Sequence, residues 1–189
     1  MALAALFFVS NLQIARAETA EWLPWRKLVP GFSLSAIGGE APRLDALGGR
    51  IVIVHFFATW CAPCRAELPA LQRFAARADP GRLTILVIAV GEPEMRVRRF
   101  RDELALTLPI LIDGDRAVTK AWQVALLPTS IVLGPDLSAR LGIEADIAWD
   151  DIDPEALIRA ALASRPEVDG MPGRPPPQSQ REQTVSEGG

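Results

Sequence analysis

The chain has 189 residues, of which 49% are apolar, and a formal net charge of -3 at pH 7. That suits one domain with tails and a packed core, and it excludes a broad electrostatic attraction to nucleic acid. There is no long run of like charge and no internal repeat, so any chemistry rests on a few positions.

At the N-terminus, Ala2 to Val9 is an unbroken apolar run, shorter than the roughly 20 residues a membrane span needs. Ala15-Arg16-Ala17 follows with the small residues of a signal-peptidase site. Residues 1–17 are expected to be a secretory signal; with no Lys or Arg ahead of the run, an uncleaved anchor stands beside that reading. Either form places the remainder outside the cytoplasm. Residues 18–28 read as a linker.

Arg50 to Ala58 is a near-continuous β-branched and aromatic run, the pattern of a buried central strand. From Ala62 the pattern turns helical, with Leu68, Leu71, Ala75 and Ala78 at steps of three, four and three. Pro69 lies inside it and predicts a kink. Asp79-Pro80-Gly81 ends the helix, and Arg82 to Val90 is a second buried strand. A helix follows with Val97, Phe100 and Leu104 on one face; Arg96, Arg98, Arg99 and Arg101 crowd the rest, as on a solvated surface. Leu108 to Asp113 contains a short strand and Asp115 to Val124 a short helix. Two apolar runs around Gly134-Pro135-Asp136 predict a hairpin. A last helix opens with Asp153 as N-cap and Pro154 in its first turn. The residues before Arg50, from Phe32, can add short accessory strands. The order β-α-β-α-β-α-β-β-α implies an α/β fold, a mixed central sheet with helices on both faces. From Ser164 the sequence is rich in Pro, Gly, Gln and Ser, too polar to offset chain entropy, so 164–189 is expected to be a disordered tail.

Cys61 and Cys64 are the two cysteines of the chain and His55 is its one histidine. Cys61 falls where a strand gives way to a helix. Unpaired N–H groups at a helix N-terminus favour a thiolate there. Cys64, one turn on, is expected to be more buried and able to reach back. The pair therefore has the arrangement of a nucleophile and a resolving thiol. Pro63 fits the first turn, where its missing N–H does no harm. A bridge closing so short a loop constrains the unfolded chain little, which argues against a purely structural role. A structural zinc site wants four ligands, and neither a second C-x-x-C nor a histidine pair is present.

From Phe56 to Leu71 the sequence FFATWCAPCRAELPAL resembles the thioredoxin superfamily, and more narrowly its exported TlpA/ResA-like thiol–disulfide oxidoreductases. VALLPTSIVL, from Val124 to Leu133, is similar to the family's segment carrying a cis-proline. The likeness spans Val29 to Leu162, within an expected domain of residues 29–163. It implies a thioredoxin-like fold with no cofactor, and it makes Cys61 and Cys64 the redox couple. It makes Pro128 the cis-proline opposite them and Leu127 the residue whose backbone pairs with a client. Trp60 becomes a shield and docking surface beside the nucleophile, with Pro63 next to it. Glu67 matches an acidic residue thought to relay protons for the resolving cysteine; the alternative is a solvent-facing helix glutamate. His55 stands where thioredoxins carry a buried Asp. It is either a satisfied core histidine or a proton acceptor for Cys64.

Ala62 and Pro63 add no cation between the cysteines, so reduction of client disulfides is expected rather than strong oxidation. The resemblance implies client proteins such as apocytochrome c or copper-site proteins, a membrane-embedded thiol electron donor, and a periplasmic or otherwise extracytoplasmic location. Two rival readings remain. A peroxiredoxin-like peroxidase would carry Pro and Thr seven and three residues before the nucleophile, where Val54 and Ala58 stand. A copper-binding chaperone or adaptor would take metal at the reduced cysteines.

Overall fold

The computed structural model describes residues 21–37 and 42–165. The expected signal at 1–17 and nearly all of the expected tail lie outside them. Seven strands form one sheet: β1 (Leu23–Pro24), β2 (Ser35–Ala36), β3 (Ile51–Phe57), β4 (Leu83–Val90), β5 (Ile110–Asp113), β6 (Thr129–Leu133) and β7 (Ala139–Ile143), in the spatial order β1-β7-β6-β3-β4-β5-β2. The β3, β4 and β5 strands run parallel, while β6 lies antiparallel to β3. The sheet is therefore mixed, as the sequence implies. Helices α1 (Ala62–Arg77), α2 (Glu94–Glu103), α3 (Ala117–Ala121) and α4 (Pro154–Ala163) complete the domain, with 3-10 turns at Leu44–Leu47 and Trp149–Asp151.

Strand alternation decides which side chain meets which layer. Ile51, Ile53 and Phe57 of β3 point to one face, among Leu68, Leu71 and Phe74 of α1, Val97 and Phe100 of α2, and Leu157 and Ile158 of α4. Val52, Val54 and Phe56 point to the other, with Leu44, Leu47, Val118 and Trp122. Every residue of β3 is buried. Each fully buried Leu, Ile or Phe contributes about 1.5–3 kcal/mol, so the sheet centre is the rigid part of the molecule.

Local chemistry sets the ends. Asp153 caps α4 by accepting from the amides of Glu155 and Ala156, as expected. The buried Asp113 carboxylate accepts from the Val118 and Thr119 amides and the Thr119 hydroxyl, which anchors α3 to the end of β5. Helix α1 runs through Pro69 as one element of 16 residues; the proline removes one N–H there.

The expected linker needs correction. Leu23 and Pro24 pair with Gly142 and Leu141 of β7, and the Trp25 amide donates to the Arg140 carbonyl at 3.0 Å. The Trp25 side chain is buried in the second core layer. It lies flat against Gly142, where a β-carbon would stand 2.1 Å from the indole. Two residues at a sheet edge, one of them proline, carry no alternation that a sequence reading can detect.

Candidate functional site

Strands β3 and β4 run parallel, and β6 enters antiparallel with Phe56 opposite Thr129. The ends of β3 and β4 and the start of β6 therefore share one edge of the sheet. The chain leaves β3 at Phe57 and reaches Cys61 four residues later. On the same edge Pro128 immediately precedes β6.

Cys61 and Cys64 form a disulfide, their Cα atoms 5.3 Å apart. Cys61 is the N-cap of α1, and its Sγ accepts from the Cys64 amide at 3.3 Å. That amide is one of the unpaired donors that make a helix N-terminus favour negative charge. Cys61 retains 6% of its surface while Cys64 has none. Cys61 is therefore the sulfur of the pair that meets solvent, and Cys64 is enclosed. Pro63 is an exposed residue of the first turn.

The Leu127–Pro128 peptide is cis. Pro128 is buried and Leu127 half-buried, packed against the core layer that holds both cysteines. The Thr129 hydroxyl donates to the Leu126 carbonyl at 2.7 Å and fixes the loop. Trp60 is 65% exposed and Leu126 57% exposed, which leaves apolar surface beside the sulfurs on both strand connections.

Two features lay beyond the sequence reading. The Glu92 carboxylate is buried just past the end of β4. It accepts from the Thr59 amide at 2.6 Å and the Thr59 hydroxyl at 2.5 Å. It thereby holds the turn that presents Trp60 and Cys61. Thr59 and Glu92 are 33 residues apart, so only an acidic residue following a buried strand hinted at it. Gly91, at φ 68°, makes that corner. The second feature is the exit of β7. The Ile147 amide donates to Glu67 Oε2 at 2.7 Å, and Trp149 stacks in the core below.

Glu67 is buried, at 6% exposure, which corrects the alternative of a solvent-facing helix glutamate. Cys64, Glu67, Leu71 and Phe74 are all buried on α1, at steps of three, four and three, so the carboxyl lies in the core stripe one turn from Cys64. Burial raises its pKa to about 8, against the favourable Ile147 amide; the exposed Asp146 charge adds to the rise, and Trp149 opposes it. His55 is fully buried, as its inward strand position implies, and burial lowers its pKa to about 3. Its Nδ1 lies 2.8 Å from Ser130 Oγ and its Nε2 3.3 Å from Glu67 Oε1.

The arginines of α2 largely pair with neighbours: Arg98 with Glu94, Arg101 with Asp102, and Arg96 lies 3.7 Å from Glu92. Arg65 of α1 pairs with Glu103. These pairs are those of a solvated charged face.

A reversible sulfur couple at a helix N-terminus, on a mixed sheet with a cis-proline at the same edge, makes the protein a thioredoxin-like thiol–disulfide oxidoreductase. Its family follows from sequence. A model described as the AhpC/TSA family matches residues 26–140, and the chain belongs to that family. It is 31% identical to the thiol-disulfide oxidoreductase ResA of Geobacillus thermodenitrificans over 148 residues, covering 78% of this chain and 80% of that protein. It is 37% identical to the thioredoxin-like protein YneN of Bacillus subtilis over 110 residues, 55% of this chain and 62% of that one. In structure it is similar to a thioredoxin-family thiol:disulfide interchange protein of Chlorobium tepidum. The TM-score is 0.62 at 27% identity, covering 76% of this chain and 99% of that one. StoA of Bacillus subtilis shares the fold at a TM-score of 0.57 and 24% identity, covering 71% and 98%.

Proposed function

We propose that the protein reduces disulfides in client proteins outside the cytoplasm. The Cys61 thiolate attacks one sulfur of a client disulfide, and the other client sulfur leaves as a thiolate that takes a proton from solvent. Cys64 then gives its proton to Glu67 and attacks Cys61 Sγ, which expels the second client thiolate and leaves the Cys61–Cys64 disulfide. Two electrons pass to the client. A membrane-embedded thiol donor returns them, and Glu67 returns the proton to Cys64. Trp60, Pro63, Leu127 and Pro128 form the docking surface, where the client backbone pairs beside Leu127 as an added strand.

The observation that carries this reading is the asymmetry of the pair. Cys61 is accessible and receives an amide hydrogen bond; Cys64 is buried one turn from a buried carboxyl. No cation stands between the cysteines, which favours reduction over strong oxidation. The apolar N-terminal run supports export. Apocytochrome c or copper-site cysteines are the clients the ResA likeness suggests. Val54 and Ala58, where a peroxidase would carry Pro and Thr, weigh against the peroxidase reading.

The test is the reduction potential of the couple, measured against thiol–disulfide buffers. A value near or below about -230 mV supports a reductase; one near about -120 to -180 mV makes the protein an oxidase or isomerase.

A further inference from the structure

His55 is fully buried, and the sulfur chemistry above does not use it. Its surroundings form one line of buried polar groups. Ser130 on β6 is its cross-strand partner and holds Nδ1 at 2.8 Å. Glu67 on α1 lies on the other side, its Oε1 3.3 Å from Nε2. The Ile147 amide holds the second carboxyl oxygen at 2.7 Å. His55 Nε2, Glu67 Oε1 and Trp149 Nε1 are all buried, and none makes a regular hydrogen bond. The first two face each other, and the Trp149 indole N–H also acts on the Glu67 carboxyl. The remaining charged group near the pair is Asp146, on the segment after β7 and exposed to solvent. Cys64 lies one turn before Glu67 on α1, and both are buried.

A neutral imidazole has one N–H and one bare nitrogen. With the carboxyl protonated, Oε1–H donates to Nε2, and Nδ1–H donates to the Ser130 hydroxyl. With the carboxyl ionised, Nε2–H donates to Oε1, and Nδ1 accepts from Ser130. The same three side chains satisfy both states once the tautomer changes. A buried polar atom left without a partner costs about 1–3 kcal/mol, so a group that serves both states removes that cost from proton transfer.

We propose that His55 is a positioning residue for Glu67: by switching tautomer between Ser130 and Glu67, it keeps the carboxyl hydrogen-bonded both before and after it takes the Cys64 proton. The inference rests on the proposed proton transfer from Cys64 to Glu67. One proton leaves Cys64 Sγ and arrives on a Glu67 oxygen; the imidazole gives up its Nε2 proton and takes one at Nδ1 by exchange with a water molecule, so the ring stays neutral and the proton count closes. The oxidised protein, with Glu67 held protonated, is the state that step leaves behind.

The full-length protein, prereduced, is mixed with a self-quenched disulfide peptide, and single-turnover reduction is followed from pH 5 to pH 9. Wild type is compared with Glu67→Gln, His55→Leu and His55→Gln. Leu removes the donor to ionised Glu67, and Gln restores a group that donates or accepts. His55→Leu is expected to move the inflection upward by about one pH unit, the difference between losing a hydrogen bond to the ionised carboxyl and losing one to the neutral acid. His55→Gln should recover most of that shift. If Glu67→Gln flattens the profile while His55→Leu overlays wild type, the role of His55 falls and that of Glu67 stands. If Glu67→Gln also overlays wild type, the proton transfer falls and the inference with it. Nitrogen NMR of the imidazole in wild type gives a reading that needs no variant to fold. A neutral Nδ1–H form that changes to Nε2–H as Glu67 ionises is expected. One fixed tautomer throughout, or an imidazolium, overturns the proposal.

Discussion

The pair of buried groups makes a prediction about folding stability that can be taken apart one residue at a time. Unfolded, His55 titrates near 6.5 and Glu67 near 4.5; folded, burial carries them to about 3 and about 8. Between pH 3 and 4.5 the unfolded imidazole holds a proton that the folded one lacks, so stability rises with pH. Between pH 6.5 and 8 the folded carboxyl holds a proton that the unfolded one has released, so stability falls as pH rises. Between pH 4.5 and 6.5 each state holds one proton, on the imidazole when unfolded and on the carboxyl when folded. The two slopes cancel there, and the pair contributes a plateau. One pH unit corresponds to about 1.4 kcal/mol per proton, so each visible limb amounts to about 2 kcal/mol. Glu67→Gln removes the falling term and leaves a rise across the whole range from pH 3 to 6.5, of about 5 kcal/mol at most. His55→Gln removes the rising term and leaves a fall of similar size from pH 4.5 to 8. The assay is urea unfolding of the oxidised protein at half-unit steps from pH 3 to 9, without reductant so that the disulfide stays closed. Other carboxylates titrate in both proteins and drop out of the difference curve. A wild-type minus Glu67→Gln difference that stays level from pH 4.5 to 8 would refute the assignment of the proton to Glu67.

Other substitutions test the frame around the pair. Glu92→Ala removes both partners of Thr59; it should cost about 2–4 kcal/mol in chemical denaturation and slow disulfide reduction, because the turn presenting Cys61 loses its anchor. Gly142→Ala places a β-carbon 2.1 Å from the Trp25 ring. Crowding of that kind costs about 1–3 kcal/mol, visible as a lower Tm and a shift of tryptophan emission as Trp25 leaves the core. Cys64→Ser should accumulate a mixed disulfide with a client peptide, one per chain by mass spectrometry. Cys61→Ser should form none, because its remaining thiol is buried.

What the sequence exposes here follows from the range over which each signal acts. Ile51–Phe57 and Leu83–Val90 are apolar throughout because both sheet faces are covered, and a continuous run is visible without knowing its neighbours. The Asp153-Pro154 cap and the strand-to-helix step before Cys61 are contacts within a few residues. By contrast, β1 is two residues whose reason for being ordered, the bare face of Gly142, lies more than a hundred positions away. The hold of Glu92 on Thr59 likewise joins two connections that meet only because β3 and β4 are parallel neighbours.

Glu67 lies between these cases, and its signal was available. Cys64, Glu67, Leu71 and Phe74 step along α1 as a core stripe does, so a carboxyl there had to be buried and had to find a partner. His55 shares the inward face of β3 with Ile53 and Phe57 by simple alternation. Each position is legible alone; the meeting of the two is not, because the packing of α1 on β3 sets the rotation that brings Oε1 to Nε2. Cys64 stands one turn from the carboxyl on the same helix, a spacing set by α1 itself. The packing that completes the core is also what brings His55 to the carboxyl proposed to take the Cys64 proton, so the variants at His55 and Glu67 probe fold and the proposed redox chemistry through one contact.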